Sequence, residues 1–295
     1  MNTAEKIIFK IVRSRLGRLI PSKQYISINY RLLIGYFPNI DNPHTFNEKL
    51  QWLKLYGFKP EYTKMVDKYL VKDYVSSLIG EEYIIPTIAV WDDVDDIRFD
   101  QLPNQFVLKC THDSGGLIIC KDKSSLDVDS AKDKLKKSLA RNYYWNGREY
   151  PYRDVKPRII AEKYMQDDDS FELKDYKVLC FNGEPRLIEV FTGRYTKNFS
   201  CNIYTENWAP TPLHQSKYGL PRSTYEYEKP VFLEEMLSLS RKIAQDMPHV
   251  RVDWYYTNNR LYFGEITFFD ASGFEEFEPN EWNLVLGDMI SLPFD

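Results

Sequence analysis

The chain of 295 residues is 43% hydrophobic and 28% charged, which suits a soluble folded protein able to bury a core without disulfides. A net charge of −4 argues against a nucleic-acid binder, which would carry a basic footprint. Cys110, Cys120, Cys180 and Cys201 show no CxxC spacing and fall in strand-like runs, as buried thiols of a reducing compartment would.

No run of about 18 apolar residues suits a membrane span. The opening stretch, MNTAEKIIFKIVRSRLGRLIPSKQY, lacks a signal-peptide cleavage pattern, and a cytoplasmic protein is expected. It sets Lys6, Lys10, Arg13, Arg15, Arg18 and Lys23 among Ile7, Ile8, Ile11, Val12 and Leu16. That pattern fits a basic amphipathic helix on an anionic membrane face, or equally a terminal helix docked on its own domain.

PHTFNEKLQWLKLY predicts a helix opened by a Thr45–Glu48 capping box, with Phe46, Leu50 and Leu53 at helical spacing. EYTKMVDKYLVKDYVSSLIG predicts one helix ending at Gly80, and EYIIPTIAVWDD a short strand and a loop. In FVLKCTHDSGGLIIC, residues 106–120, two apolar runs flank a tip with Gly115 and Gly116, and Lys109 sits inside the first run. An ammonium in an apolar strand is costly unless it meets an anion. A glycine tip lets backbone N–H groups approach a phosphate. Together they suggest a polyphosphate clamp; the plainer reading is a lysine snorkelling from an edge strand over an ordinary turn. The GxxxxGK[ST] string of a P-loop is absent.

DSAKDKLKKSLARNYY predicts a helix with Leu135 and Leu139 facing inward. NYYWNGREYPYRD then concentrates aromatic rings and arginines. Rings and guanidinium forks suit a sugar bearing a carboxylate, which makes Arg148 and Tyr152 substrate candidates; an aromatic-capped core corner is equally allowed. RIIAEKYM predicts a buried strand with Glu162 at its end, and Asp175 and Lys177 open the next one. Seen alone, these charges merely punctuate strand ends. YKVLCF and EPRLIEVF predict a hairpin on the type I′ turn Asn182-Gly183. VFLEEMLSLSRKIAQDM predicts a helix with Phe232, Met236, Leu239 and Ile243 on one face.

VRVDWYYTNNRLYFGEITFF closes the chain's regular part as two strands. A three-residue loop at 258–260 would set Asp253 opposite Glu265, whereas a two-residue loop would put them on opposite faces. Facing carboxylates repel unless a cation lies between them, and an oxygen-only pair suits Mg²⁺ bridged to phosphates. The plainer reading is a solvent-facing hairpin whose acids never meet. The order of elements predicts an α+β architecture rather than a doubly wound parallel sheet.

In this order, a strand lysine, a glycine-rich lid, a Glu162-Lys163 hinge, a DYK strand and a final Asp…Glu pair resemble the ATP-grasp fold. FNEKLQWLK, FVLKCTHDSGG, GREYPYRDVKPRIIAEKYM, DYKVLCFNGEP and RVDWYY…YFGEITFFDASGF resemble its TupA-like branch, named for teichuronopeptide synthesis, from about residue 30 almost to the end. On this resemblance, a helical and α/β region over 1–100 precedes a lid subdomain over 101–165 and a C-terminal subdomain over 166–295 carrying the metal site. The resemblance implies that Lys109 holds the α- and β-phosphates of ATP, under a lid running from His112 through Ser114 and Gly115 to Gly116. It implies an adenine hinge over Glu162, Lys163 and Met165, with the Glu162 carboxylate accepting from the adenine amino group, and a ribose partner in Asp175. Lys177 and Arg194 would stabilise the transferred phosphoryl group, and Asp253 and Glu265 would hold Mg²⁺. Thr267 stands where the family usually has asparagine, which puts a second Mg²⁺ in doubt.

The implied activity is an ATP-dependent carboxylate–amine ligase acting through an acyl phosphate. It would join a uronic acid of a capsule, O-antigen or teichuronic-type glycan, or of its precursor, to an amino acid or amine, at the inner face of the cell membrane or in the cytoplasm. Two other classes stay open on the sequence. Asp167-Asp168-Asp169 offers a DxD string to a glycosyltransferase, and an altered metal motif would suit a non-catalytic or kinase-like ATP binder.

Overall fold

The computed structural model describes residues 2–166, 174–193, 197, 199–215, 221, 223 and 226–293. Asp167 to Asp169 and Arg194 lie outside the described residues. Helix α1 (Thr3–Val12) opens with a capping box in which Asn2 and Glu5 exchange bonds of 2.8 and 2.9 Å. It packs on α2 (Ser22–Ile34), and α3 (Phe46–Tyr56) opens with the Thr45–Glu48 capping box expected from the sequence.

The single helix expected over 61–80 is two, α4 (Tyr62–Val66) and α5 (Leu70–Ile79). Asp67 interrupts it by accepting the backbone N–H groups of Tyr69 and Leu70 at 2.9 and 3.2 Å, a local bond that competes with the helical ladder. Gly80, at φ +109°, ends α5.

Strands β1 (Thr87–Trp91), β2 (Phe106–Cys110), β3 (Leu117–Cys120) and β4 (Ile159–Lys163) form an antiparallel sheet in the order β1-β4-β2-β3. Because side chains alternate, Phe106, Leu108 and Cys110 pack with Leu135 of α6 (Val128–Leu139) on one face. Lys109 and Glu162 therefore point from the other face. The short α7 (Tyr144–Gly147) follows.

A second antiparallel sheet, in the order β10-β9-β5-β6-β7, contains β5 (Lys174–Phe181), β6 (Glu184–Thr192), β7 (Ser200–Thr205), β9 (His249–Thr257) and β10 (Arg260–Thr267). A small ladder joins β8 (His214–Gln215) to β11 (Phe277–Glu278), and α8 (Leu233–Ala244) and α9 (Trp282–Asp288) complete the chain. Val178, Val252 and Trp254 face α8, where Trp254 Nε1 donates to Ser240 Oγ at 2.9 Å over Met236 and Ile243. The opposite face carries Asp175, Lys177, Glu189, Arg251 and Asp253. Strand β7 contains Cys201, which the sequence places in a strand-like run without giving that run bounds.

Of the two loop lengths that the sequence allows, the β9–β10 hairpin takes the shorter. Thr257 pairs with Arg260 around a two-residue turn, Asn258 and Asn259 both at positive φ. A bulge between Phe263 and Ile266 then sets Gly264 and Glu265 against Asp253 alone. That extra residue rephases β10, so Glu265 shares the face of Asp253 after all. The four cysteines are free and buried, and no helix among the described residues is long and apolar enough to cross a membrane.

Candidate active site

Ladder pairing lines up the charged side chains of the larger sheet. Lys177 on β5 is the direct partner of Asp253 on β9 and of Glu189 on β6, and the bulge adds Glu265 beyond Asp253. The Lys177 ammonium lies 3.2 Å from Asp253 and 3.8 Å from Asp175. Burial and the nearby Arg251 would lower it, but Asp253 and Asp175 prevail and hold it above its usual value.

Arg251, two residues before Asp253 and so on the same face, grips that carboxylate with two bonds of 2.7 and 2.9 Å. Its remaining nitrogen donates to Asp270, and one of the two that hold Asp253 also donates to the Thr267 hydroxyl at 3.3 Å. Burial pushes the Asp253 carboxyl up despite Arg251 and Lys177. Burial opposes ionisation at Glu265 as well, but Lys68, Arg251 and Lys177 draw that carboxyl down to about 2.

On the smaller sheet, Glu162 on β4 receives two ammonium groups, Lys72 of α5 at 2.5 Å and Lys109 of β2 at 2.6 Å. Burial would raise the Glu162 carboxyl, yet the two lysines outweigh it and hold it below its usual value. Lys68 ties the walls together: its ammonium is 3.6 Å from Glu265 and donates to the Asp113 carbonyl at 3.0 Å. A cleft of about 890 Å³ opens here, lined on this side by Lys68, Ser114, Lys177, Arg251, Glu265 and Thr267.

Several expected roles change. Glu162 was expected to accept from adenine; its carboxylate instead holds Lys109 and Lys72 together, because two ammonium groups reach it from neighbouring elements. His112 was expected in a mobile lid over phosphate, but it is buried, with its Nε2 3.2 Å from the Ser138 carbonyl of α6. Asp113 is buried beside it and accepts from Ser138 Oγ. The hairpin tip that faces the cleft is Ser114, followed by Gly115 at φ +115° and by Gly116, where an added Cβ would sit 2.4 Å from Ser138 Oγ.

Arg148 was expected to meet substrate. It is buried, donates to the carbonyls of Gly17 and Ile20 at 3.0 and 3.1 Å, and stacks on Tyr25 and Trp145, so it pins the N-terminal segment. Tyr152 does line the cleft, with burial raising its hydroxyl well above the usual range. Lys163 is exposed at the end of β4 and Met165 half-buried beyond it; Asp175 is buried beside Lys177.

Asp253, Glu265 and Thr267 form an oxygen-only set on adjoining strands, and Mg²⁺ takes one or two carboxylates plus phosphate oxygens, so these residues fit that ion. Among the described residues no group of three His, Cys, Asp or Glu side chains forms a metal cage by itself. The sequence reading missed Arg251, Lys68 and Lys72. The Arg-x-Asp spacing signals the first, since i and i+2 share a strand face. Lys72 sits among other charges of α5 and Lys68 in the turn before it, and neither carries such a mark.

A family model described as TupA-like ATP-grasp matches residues 48–291. No curated protein matches the chain. Among solved structures, the chain is similar to D-alanine–D-alanine ligase from Bacillus anthracis complexed with ATP, at 17% identity and a TM-score of 0.40, over 77% of this chain and 63% of that one. It is also similar to D-alanine–D-alanine ligase from Helicobacter pylori, at 16% identity and a TM-score of 0.43, over 90% and 69% of the two chains. This chain thus spans under two thirds of the first of these, and neither likeness bears on its substrates.

Proposed function

The chain belongs to the TupA-like ATP-grasp family, and on that premise we propose that it is an ATP-dependent carboxylate–amine ligase acting through an acyl phosphate. One observation carries this reading: the Lys177–Asp253–Glu265 row, with Arg251 beside it, lies close enough to the Lys109–Glu162–Lys72 cluster that, against burial, Glu265 and Asp175 help Glu162 to hold the Lys109 ammonium above its usual value. Phosphoryl transfer asks a protein mainly for positioning and charge neutralisation. Lys109 and Lys72 would hold the triphosphate on one wall, and Ser114 would cover it from the hairpin tip. Lys177 would neutralise the phosphoryl group as an acceptor carboxylate attacks phosphorus and ADP leaves. Arg251 would steady Asp253 and add positive charge beside the acceptor carboxylate. Mg²⁺ on Asp253 and Glu265 would supply further neutralisation of phosphate oxygens. An amine then attacks the activated carbonyl, phosphate departs, and an amide remains.

For the acid we propose a uronic acid of a surface polysaccharide or its precursor, in keeping with the family's name and with Tyr143 and Tyr152 lining the cleft. The test is ATP turnover with uronic acids paired with amino acids, followed by mass spectrometry. ADP and phosphate formed only with both partners, and a product lighter than their sum by one water, support the reading. Release of UDP or GDP from nucleotide sugars instead, or ADP formed without any amine, overturns it.

We further propose that the enzyme works against the inner face of the membrane. Ile7, Ile8 and Ile11 of α1 are about half exposed, and Leu16 and Leu19 more so, beside Lys6, Lys10, Arg13, Arg15 and Arg18. Phe9 and Arg13 of the same segment line the cleft, so a helix lying on anionic lipid would hold the cleft near it.

A further inference from the structure

At the end of the cleft beyond Arg251 the lining changes from lysines to acids. Glu189, Asp270 and Glu149 line it with Phe191, Phe269 and Tyr152. Glu189 is 1% exposed. One of its oxygens accepts from Gln215 Nε2 at 2.5 Å, and Oε2 has no hydrogen-bond partner among the described residues. The same Gln215 amide lies 3.4 Å from Asp270 Oδ2, so the two carboxylates share one donor. Gln215 is itself fixed by the β8–β11 ladder.

A buried acceptor left without a donor is costly, and natural folds keep few of them. The nearby cations Arg251 and Lys177 relieve Glu189 only in part, and neither reaches its Oε2 with a hydrogen bond. Arg251 is committed to Asp253, Asp270 and Thr267, and Lys177 stands against Asp253 and Asp175. Acids on the wall exclude the carboxylate end of a substrate. They favour a cation, and aromatic faces favour one too.

We propose that this end of the cleft is the nucleophile's subsite, and that it takes a primary amine as its ammonium, held at Glu189 Oε2 with Asp270 adjoining. The inference rests on the ligase reading for its place in a reaction, but not for the binding it asserts. Burial and the neighbouring Asp270 hold the Glu189 carboxyl well above its usual range, and an arriving ammonium would draw it back down. A hydroxyl nucleophile would satisfy one lone pair without supplying that charge. The subsite thus selects amines over alcohols of the same shape, and Glu189 contacts the substrate directly.

The experiment compares L-alaninamide with L-lactamide, which differ only in carrying an ammonium or a hydroxyl. Binding to the full chain is followed by ligand-observed NMR or calorimetry, without acid substrate or turnover. The expected result is at least tenfold tighter binding of L-alaninamide, with the preference lost in Glu189→Gln. Equal binding of the two amides, no binding of L-alaninamide, or a preference surviving in Glu189→Gln would each overturn the proposal. Should Glu189→Gln fold poorly, the comparison on the unaltered chain still decides. Absent ADP release with every acid–amine pair would sink the ligase reading alone, since the amide preference is read independently of it.

Discussion

Lys177 and Asp253 are direct partners across β5 and β9, with 3.2 Å between ammonium and carboxylate, and Asp253 keeps a second, two-bonded partner in Arg251. The two cations are therefore not equivalent. Losing Lys177 leaves Asp253 paired, so Lys177→Met should fold while ADP release falls by about a hundredfold or more, the loss typical of removing one group that stabilises developing charge. Steady-state turnover beside a melting curve checks this. Near-normal turnover would remove Lys177 from the chemistry.

Among the described residues, Glu162 is the only carboxylate in contact with either Lys72 or Lys109, at 2.5 and 2.6 Å. Glu162→Gln leaves two ammonium groups facing each other in a largely buried setting. Removing one side of a buried pair costs about 3–5 kcal/mol, so the variant should melt well below the parent. A triphosphate would supply the missing anion. ATP should then raise the melting temperature of the variant by more than it raises that of the parent, and an equal rise in both would count against a phosphate site between these lysines.

The sequence makes much of this legible for reasons that can be named. Thr45 and Glu48 announce a helix start, and Asn182-Gly183 a tight turn, because both signals act within four residues. Lys109 and Asp253 stand out as charges inside apolar strands. What the sequence hides is whatever depends on distant neighbours. Glu162 looks like a strand-end acid until Lys72, from another element, reaches it. Arg148 looks like a surface guanidinium until the carbonyls of Gly17 and Ile20 close over it. The face of Glu265 turns on a bulge, and Gly264 alone hints at one.

That bulge is itself testable. A Cβ on Gly264 would lie 3.0 Å from the Asp253 carbonyl oxygen and 3.1 Å from the Tyr255 ring, closer than the backbone admits without a shift. Gly264→Ala should displace Glu265 while leaving Asp253 and the core packing beneath it in place. The expected outcome is an increase of about tenfold in the Mg²⁺ concentration needed for half-maximal turnover, in line with the loss when support for a metal ligand is removed. Melting should change little. An unchanged Mg²⁺ requirement would show that Glu265 does not depend on the bulge for its place.

Membrane attachment through α1 predicts that the chain sediments with vesicles containing phosphatidylglycerol and not with pure phosphatidylcholine. Salt should weaken the binding, because cations near an anionic surface contribute about 1 kcal/mol each and are screened. Ile7→Asp with Ile11→Asp should abolish sedimentation without altering turnover in solution. Equal sedimentation with neutral vesicles, or no effect of the two aspartates, would refute it.

His249 gives the fold a pH dependence of its own. Its ring is buried edge-on to Phe46 at 5.0 Å and beside Phe181 at 4.9 Å, and burial lowers its pKa from 6.5 to about 4, although Asp270 opposes the shift. The folded chain thus binds fewer protons at this site than the unfolded chain. The associated stability is complete above the unfolded value, falls as pH drops below 6.5, and is gone below about 4. A shift of this size corresponds to about 3 kcal/mol in all, of which about 2 kcal/mol is lost by pH 5. Denaturant unfolding at pH 7 and pH 5 should show that loss in the parent chain. His249→Phe, which keeps a ring between the two phenylalanines, should lose about 2 kcal/mol less over the same interval. Identical losses in both chains would assign the acid sensitivity to the carboxylates of the cleft instead.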